Sequence, residues 1–238
     1  MLPKRSIGDP RPEHWTGLID GIYAIGLTIL ALNMPNFLNA IVQLKQEGPN
    51  HAAIALYLFG VEALTYTALF FILYEIWSYH RAIVCLGSMK SKGLTSLNAI
   101  ILALVSFIPA GMVFHLNRQI EIIHQAKLAN TDIFNAITTT NAASHFGSGG
   151  FTVVFALVFF ILSALARQSK RDGNSRDRVE LTLIAKEALQ RGAVLSILMV
   201  IYWISVTRLQ IPMNSLILLI LYAIYAFFDL TERLRPKP

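Results

Sequence analysis

Three acidic residues, Asp20, Glu62 and Glu75, stand inside long apolar stretches of the chain. A carboxylate at membrane depth is costly, so it pairs with a neighbour, faces water, or carries a proton. Glu75 has Trp77, His80 and Arg81 just beyond it and is placed to reach an interface, whereas Glu62 lies nearer mid-stretch. Buried structural pairing is the expectation for both, and Asp229, at the end of the last apolar stretch, is expected at the interface. His115, His124 and His145 fall in one region without regular ligand spacing, which predicts scattered interfacial histidines rather than a metal site. No His-x-x-x-His, Gly-x-Ser-x-Gly or Cys-x-x-Cys pattern is present, so no enzyme is predicted. The single cysteine, Cys85, rules out an internal disulfide and reads as a small apolar residue.

The elements that must hold these groups are membrane helices. Of 238 residues, 55% are hydrophobic and 14% charged, too few charges to clothe a water-facing surface. Six stretches approach the roughly 20 apolar residues that a span requires. They are Thr16–Met34, Ala52–Trp77, Leu97–Phe114, Phe151–Leu165, Gly192–Val206 and Pro212–Phe228, the fourth and fifth extending into their flanks. The polar, proline-containing start predicts no cleaved signal peptide, so the first stretch is expected to stay. The expectation is one all-α transmembrane domain over residues 1–238, with a basic cytoplasmic loop at about 167–191.

Basic residues set the orientation. Sixteen of the 20 Lys and Arg fall on one side of a six-span chain, and four (Lys45, Arg118, Lys127, Arg208) on the other. The positive-inside rule then predicts a multi-pass protein of the cell membrane with both termini in the cytoplasm. The net charge of +6 needs no nucleic acid to explain it. The run "RQSKRDGNSRDR" has no interleaved aromatics for stacking bases and suits a solvated loop or one near anionic lipid. The connection from about His115 to Gly150 is expected to be a loop with some helix.

At about 100° per residue, Ile22, Ile25, Thr28, Ile29 and Leu32 share one face of the first span. Asp20, Tyr23, Ala24, Leu27, Leu30 and Ala31 fall away from it. The helix either shows the isoleucine stripe to a pore and holds Asp20 behind it, or packs on all sides through its small residues. Periodicity by itself favours the second reading.

Three motifs add a resemblance. The segment "HWTGLIDGIYAIGLTILAL" resembles the first helix of the transmembrane protein 175 family of potassium channels, which opens Arg-x-x-x-Phe-Ser-Asp. Asp20 matches the aspartate, while His14, Leu18 and Ile19 replace the arginine, phenylalanine and serine. Trp77, His80 and Arg81 are similar to the family's Trp-x-x-His-Arg ending of the second span. Asn98, Ser106, Phe107 and Pro109 resemble its Asn…Ser-Phe-x-Pro pattern in the third.

The resemblance implies a homotetramer of six-helix subunits in the lipid bilayer, its first helices lining a central pore for potassium ions. It implies no cofactor beyond the permeant ion. By position from Asp20, the aliphatic rings that gate and filter fall on Ile25, Ile29 and Leu32, with Thr28 as the hydroxyl layer. A second register would present Tyr23, Leu27 and Leu30. His14, Asp20, Trp77, His80, Arg81 and Asn98 become candidates for a polar network that holds the first helix. With His14 in the arginine's place, a pH effect enters, because histidine titrates near neutrality. The competing reading is a proton channel or proton-coupled transporter built on Asp20, Glu62, Glu75 and His80.

Overall fold

The computed structural model describes residues 12–46, 49–87, 91–128, 141–170, 175–208, 218 and 220–227. Regular structure among them is helical, with no strand. Five long helices follow in order: α1 (Pro12–Gln46), α2 (Pro49–Leu86), α3 (Lys92–Leu128), α4 (Asn141–Ser169) and α5 (Ser175–Thr207). A further two turns of helix cover residues 220–227. Each of the five contains an apolar run long enough to cross a bilayer, at Trp15–Leu32, Ala52–Leu86, Lys92–Phe114, Thr152–Ser169 and Asp177–Ser205. These match the first five expected spans. Of the sixth, Pro212–Phe228, residues 218 and 220–227 are described and are helical.

The helices outrun the lipid. The first three have 35, 38 and 37 residues, or about 50–57 Å at 1.5 Å per residue, against a hydrocarbon core of about 30 Å. A helix satisfies its own backbone hydrogen bonds, so it continues into water without penalty where the apolar run stops. Two sequence expectations change for this reason. The His115–Gly150 connection is mostly helix, with α3 running on to Leu128 and α4 starting at Asn141. The basic stretch 167–191 likewise holds the start of α5, so Arg178, Lys186 and Arg191 sit on a helix rather than in a loop.

Packing divides into two parts that share α2 and α3. Helix α1 lies against α2 and α3, α4 pairs with α5 as a helical hairpin, and α3 and α2 join the two groups. The buried core runs through all five helices, for example Ile19 and Leu30, Ile72 and Ile76, Ile101 and Val105, Phe155 and Phe159, and Leu181 and Leu195. In α4–α5 the backbones come close. A Cβ on Gly192 would lie 2.9 Å from the Phe160 ring, and the buried Ser163 hydroxyl donates to the Ala185 carbonyl at 2.7 Å. At the other end, a Cβ on Gly87 would lie 2.7 Å from Cβ of Ser169, which packs the α2–α3 turn against the end of α4. Helix α1 is different, because α2 and α3 cover only one of its faces.

Candidate functional site: an exposed stripe and the network behind it

The uncovered face of α1 carries the predicted stripe. Ile25 is 63% exposed, Leu32 69% and Ile29 39%, and Thr28 is exposed among them. The Thr28 hydroxyl donates to the Ala24 carbonyl one turn back at 2.8 Å. Its donor is thereby satisfied while its lone pairs remain available to a cation or water. Gly17, Gly21, Ala24 and Ala31 are also exposed, along the edge of this face away from Ile25 and Ile29. The second register points the other way: Tyr23 is 4% and Leu30 2% exposed, and Leu27 is half-buried. Those side chains belong to the packing against α2 and α3.

Behind the stripe lies a chain of polar contacts across three helices. The Trp77 indole N–H on α2 donates to Oδ1 of Asp20 on α1 at 2.7 Å. One turn along α2, His80 is fully buried and stands between Tyr23 of α1 and Asn98 of α3. Oδ1 of Asn98 can only accept, so Nε2 of His80 carries the proton and donates to it. Nδ1 is then left to accept from the Tyr23 hydroxyl at 3.5 Å, a tautomer fixed by the partners. The amide nitrogen of the buried Asn98 has no hydrogen-bond partner among the described residues. Arg81 is exposed and lies over the Trp77 ring at 5.4 Å rather than inside the network. The side chain of His14 lies outside the described residues.

Four of the predicted network residues therefore meet in two pairs, Asp20 with Trp77 and His80 with Asn98. Tyr23, expected either away from the stripe or in the second pore register, instead closes the chain from α1 to His80. Tyrosines on a helix lean toward its N-terminus, which carries the hydroxyl toward the end of α2 where His80 sits.

A second polar cluster joins the two packing groups. Nε of Arg191 on α5 lies 2.7 Å from Oε1 of Glu75 on α2, with side chains 5% and 18% exposed. The Tyr222 hydroxyl donates to Oε2 of Glu75 at 2.7 Å. The Arg191 guanidinium lies over the Tyr225 ring at 4.8 Å. Tyr79, one turn from Glu75, donates to Glu187, one turn from Arg191, at 3.2 Å. Glu75 is thus paired in the interior, as the cost of a membrane carboxylate predicts. Arg191 was hidden in the basic run. The signal that marks it is the i,i+4 spacing of Glu75 with Tyr79 and of Glu187 with Arg191, which puts each pair on one helix face.

Glu62, the third carboxylate, is 3% exposed on α2, one turn from the fully buried Thr65. Asp229 and the side chains of His115 and His145 lie outside the described residues, and His124 is exposed. Among the described residues no three His, Cys, Asp or Glu side chains gather as for a metal ion.

A family model described as endosomal/lysosomal potassium channel TMEM175 matches residues 14–109. That segment is of the TMEM175 family. No curated protein and no solved structure matches the chain. The TMEM175 match takes in α1, α2 and α3 as far as Pro109, and so the exposed stripe and the whole Asp20–Asn98 network. The charged cluster straddles its boundary, with Glu75 and Tyr79 inside and Arg191 and Tyr222 beyond. The match of residues 14–109 to a potassium-channel family model, together with five apolar helices of spanning length, supports a membrane protein of a cation-channel class; that class is not one of enzymes and normally needs no cofactor.

Proposed function

We propose that the chain is a passive, potassium-selective cation channel formed by four copies of a single six-helix domain over residues 1–238. The first helices surround the pore, both termini lie in the cytoplasm, and the assembly sits in the cell membrane. The observation that carries this reading is the exposed Ile25–Ile29–Leu32 stripe, on a helix within the TMEM175 match whose opposite face is buried. In a ring of four subunits the aliphatic edge of that face turns to the axis. The small edge (Gly17, Gly21, Ala24, Ala31) allows neighbouring helices to approach closely.

Four isoleucines at one level form a constriction that dewets and excludes a hydrated ion until the helices part. Thr28, one turn from Ile25, offers oxygen at that constriction in place of lost water. Permeation then needs no covalent step and no proton. The Asp20–Trp77 and Tyr23–His80–Asn98 contacts hold the helix from behind.

The test is the reversal potential of purified protein in planar bilayers under opposed potassium and sodium gradients. A shift toward the potassium equilibrium potential, weakened by Ile25→Ala or Thr28→Val, supports the pore assignment. Absence of current overturns it. A reversal that follows only the proton gradient overturns it in favour of the proton-coupled reading, with buried Glu62 as the carboxylate to replace next.

A further inference from the structure

Of the glycines on α1 with described surroundings, Gly17 and Gly21 have open space where a Cβ would project, and Gly26 does not. A Cβ on Gly26 would lie 3.0 Å from Cγ of Pro109 on α3, closer than ordinary van der Waals contact. Gly26 is buried on the same face as Ile19, Tyr23 and Leu30, and Pro109 is buried between Ile108 and Met112 in the interior of α3. The contact therefore lies on the far side of α1 from Leu32 and the small edge, and well round the helix from Ile25.

We propose that Gly26 and Pro109 are positioning residues that set how far the pore helix stands from its support, and hence the width of the Ile25 and Ile29 constriction. The inference rests on the pore reading above. Proline supplies a rigid ring with no N–H to give, so its edge is a fixed stop rather than an adaptable side chain. The helix behind it is also fixed. Ile101, Val105 and Ile108 are buried on α3, which packs against α4 as well as against α1. Among the described residues, helix α1 has no backing on its exposed face. Adding a methyl group at Gly26 therefore displaces α1 more than α3, away from Pro109 and toward the small edge, which carries Ile25 and Ile29 out of their place at the axis. Dense interiors transmit such a shift rather than absorb it. Because the constriction is made of four copies of one helix, each subunit contributes the same displacement.

The test is a two-by-two set, wild type, Gly26→Ala, Pro109→Ala and the double variant, measured as single-channel potassium conductance in bilayers. Gel filtration of each variant checks assembly. Gly26→Ala is expected to give a several-fold loss of conductance, and Pro109→Ala in the same chain is expected to return most of it by clearing the space. If Gly26→Ala fails to assemble, the double variant must recover assembly. Unchanged conductance in Gly26→Ala, or no recovery in the double variant, overturns the proposal. Ile25→Ala and Ile29→Ala run beside the set and separate the two ideas. If they alter conductance or selectivity while Gly26→Ala does not, the spacer role fails and the pore reading stands. If they too change nothing, the pore reading fails and the spacer role falls with it.

Discussion

The two polar clusters of this molecule are built from opposite materials. Around His80, neutral hydrogen bonds run Tyr23 to His80 to Asn98, with only the edge contact from Trp77 reaching a carboxylate, Asp20. Around Glu75 there is a full ion pair with Arg191, bracketed by Tyr222 and by the Tyr225 ring. The first cluster orients one helix, α1, whose other face is uncovered. The second fastens α5 and the 220–227 segment to α2 and is largely buried, the Arg191 and Glu75 side chains being 5% and 18% exposed. Neutral, directional contacts suit a helix that must hold an orientation yet shift slightly, because no charge is stranded when one bond lengthens. A buried ion pair has no such tolerance, since separating its members exposes each to the desolvation cost that the pairing had offset.

The sharpest way to break this contrast is Glu75→Gln. A carboxylate left alone can take up a proton, but a guanidinium cannot be neutralised, so removing Glu75 strands the worse charge. Breaking a buried pair by deleting one partner costs about 3–5 kcal/mol, and a loss of that order is expected in denaturation of the detergent-solubilised protein. Arg191→Met should cost less. The double variant Glu75→Gln with Arg191→Met should recover much of the loss, because an uncharged pair of similar volume carries no desolvation penalty. A Glu75→Gln variant as stable as wild type would mean that water or lipid headgroups reach Arg191, and the cluster would not be a closed clamp.

His80→Ala probes the neutral side. It leaves the buried Tyr23 hydroxyl and Oδ1 of Asn98 without their partner, at about 1–3 kcal/mol for an orphaned buried group. The loss should be smaller than for Glu75→Gln, but its functional reach should be wider, since α1 loses the Tyr23 contact to His80 and through it the link to Asn98 on α3, keeping only Asp20–Trp77. Bilayer recordings would show altered open probability at unchanged reversal potential. A stability loss with normal gating would make the network a folding device only.

Much of this arrangement was legible in the chain, and the exceptions share a cause. Apolar length placed five spans, because lipid imposes that length on each helix separately. The motifs marked Asp20, Trp77, His80 and Asn98 as candidates for a polar network, but that Asp20 meets Trp77 and His80 meets Asn98 is seen only in the fold. Periodicity grouped Ile25, Ile29 and Leu32, but could not say whether the group faced a neighbour or open space. That depends on where α2 and α3 lie. Tyr23 went unrecognised as a network member for the same reason, its partner being 57 residues away. Arg191 was obscured because a run of charges looks solvated, and only the fold turns one of them inward. Helix ends were misjudged because hydropathy reports where lipid stops, and a helix need not stop there.

The mildest probes concern the contact between the network and the surface. Trp77→Phe keeps the ring beneath Arg81 and removes only the indole N–H from Asp20. A hydrogen bond to a charged group is worth about 1.5–3 kcal/mol when enclosed. Asp20 is half-buried, so water replaces part of the loss and about 1 kcal/mol is expected by thermal denaturation.

Arg81→Ala should do less still. Its guanidinium is exposed and meets only the Trp77 ring face, an interaction worth about 0.5–1 kcal/mol at such sites. The double-mutant cycle of Arg81→Ala with Trp77→Leu isolates that term from the lost side-chain packing. A coupling within this range, insensitive to Asp20→Asn, keeps Arg81 outside the network as a surface anchor over its aromatic partner. A coupling well above it, or one that collapses when Asp20 is neutralised, would show that the arginine's charge is felt by the carboxylate. The neutral cluster would then contain an ion pair at its edge, and the difference between the two clusters would be one of degree.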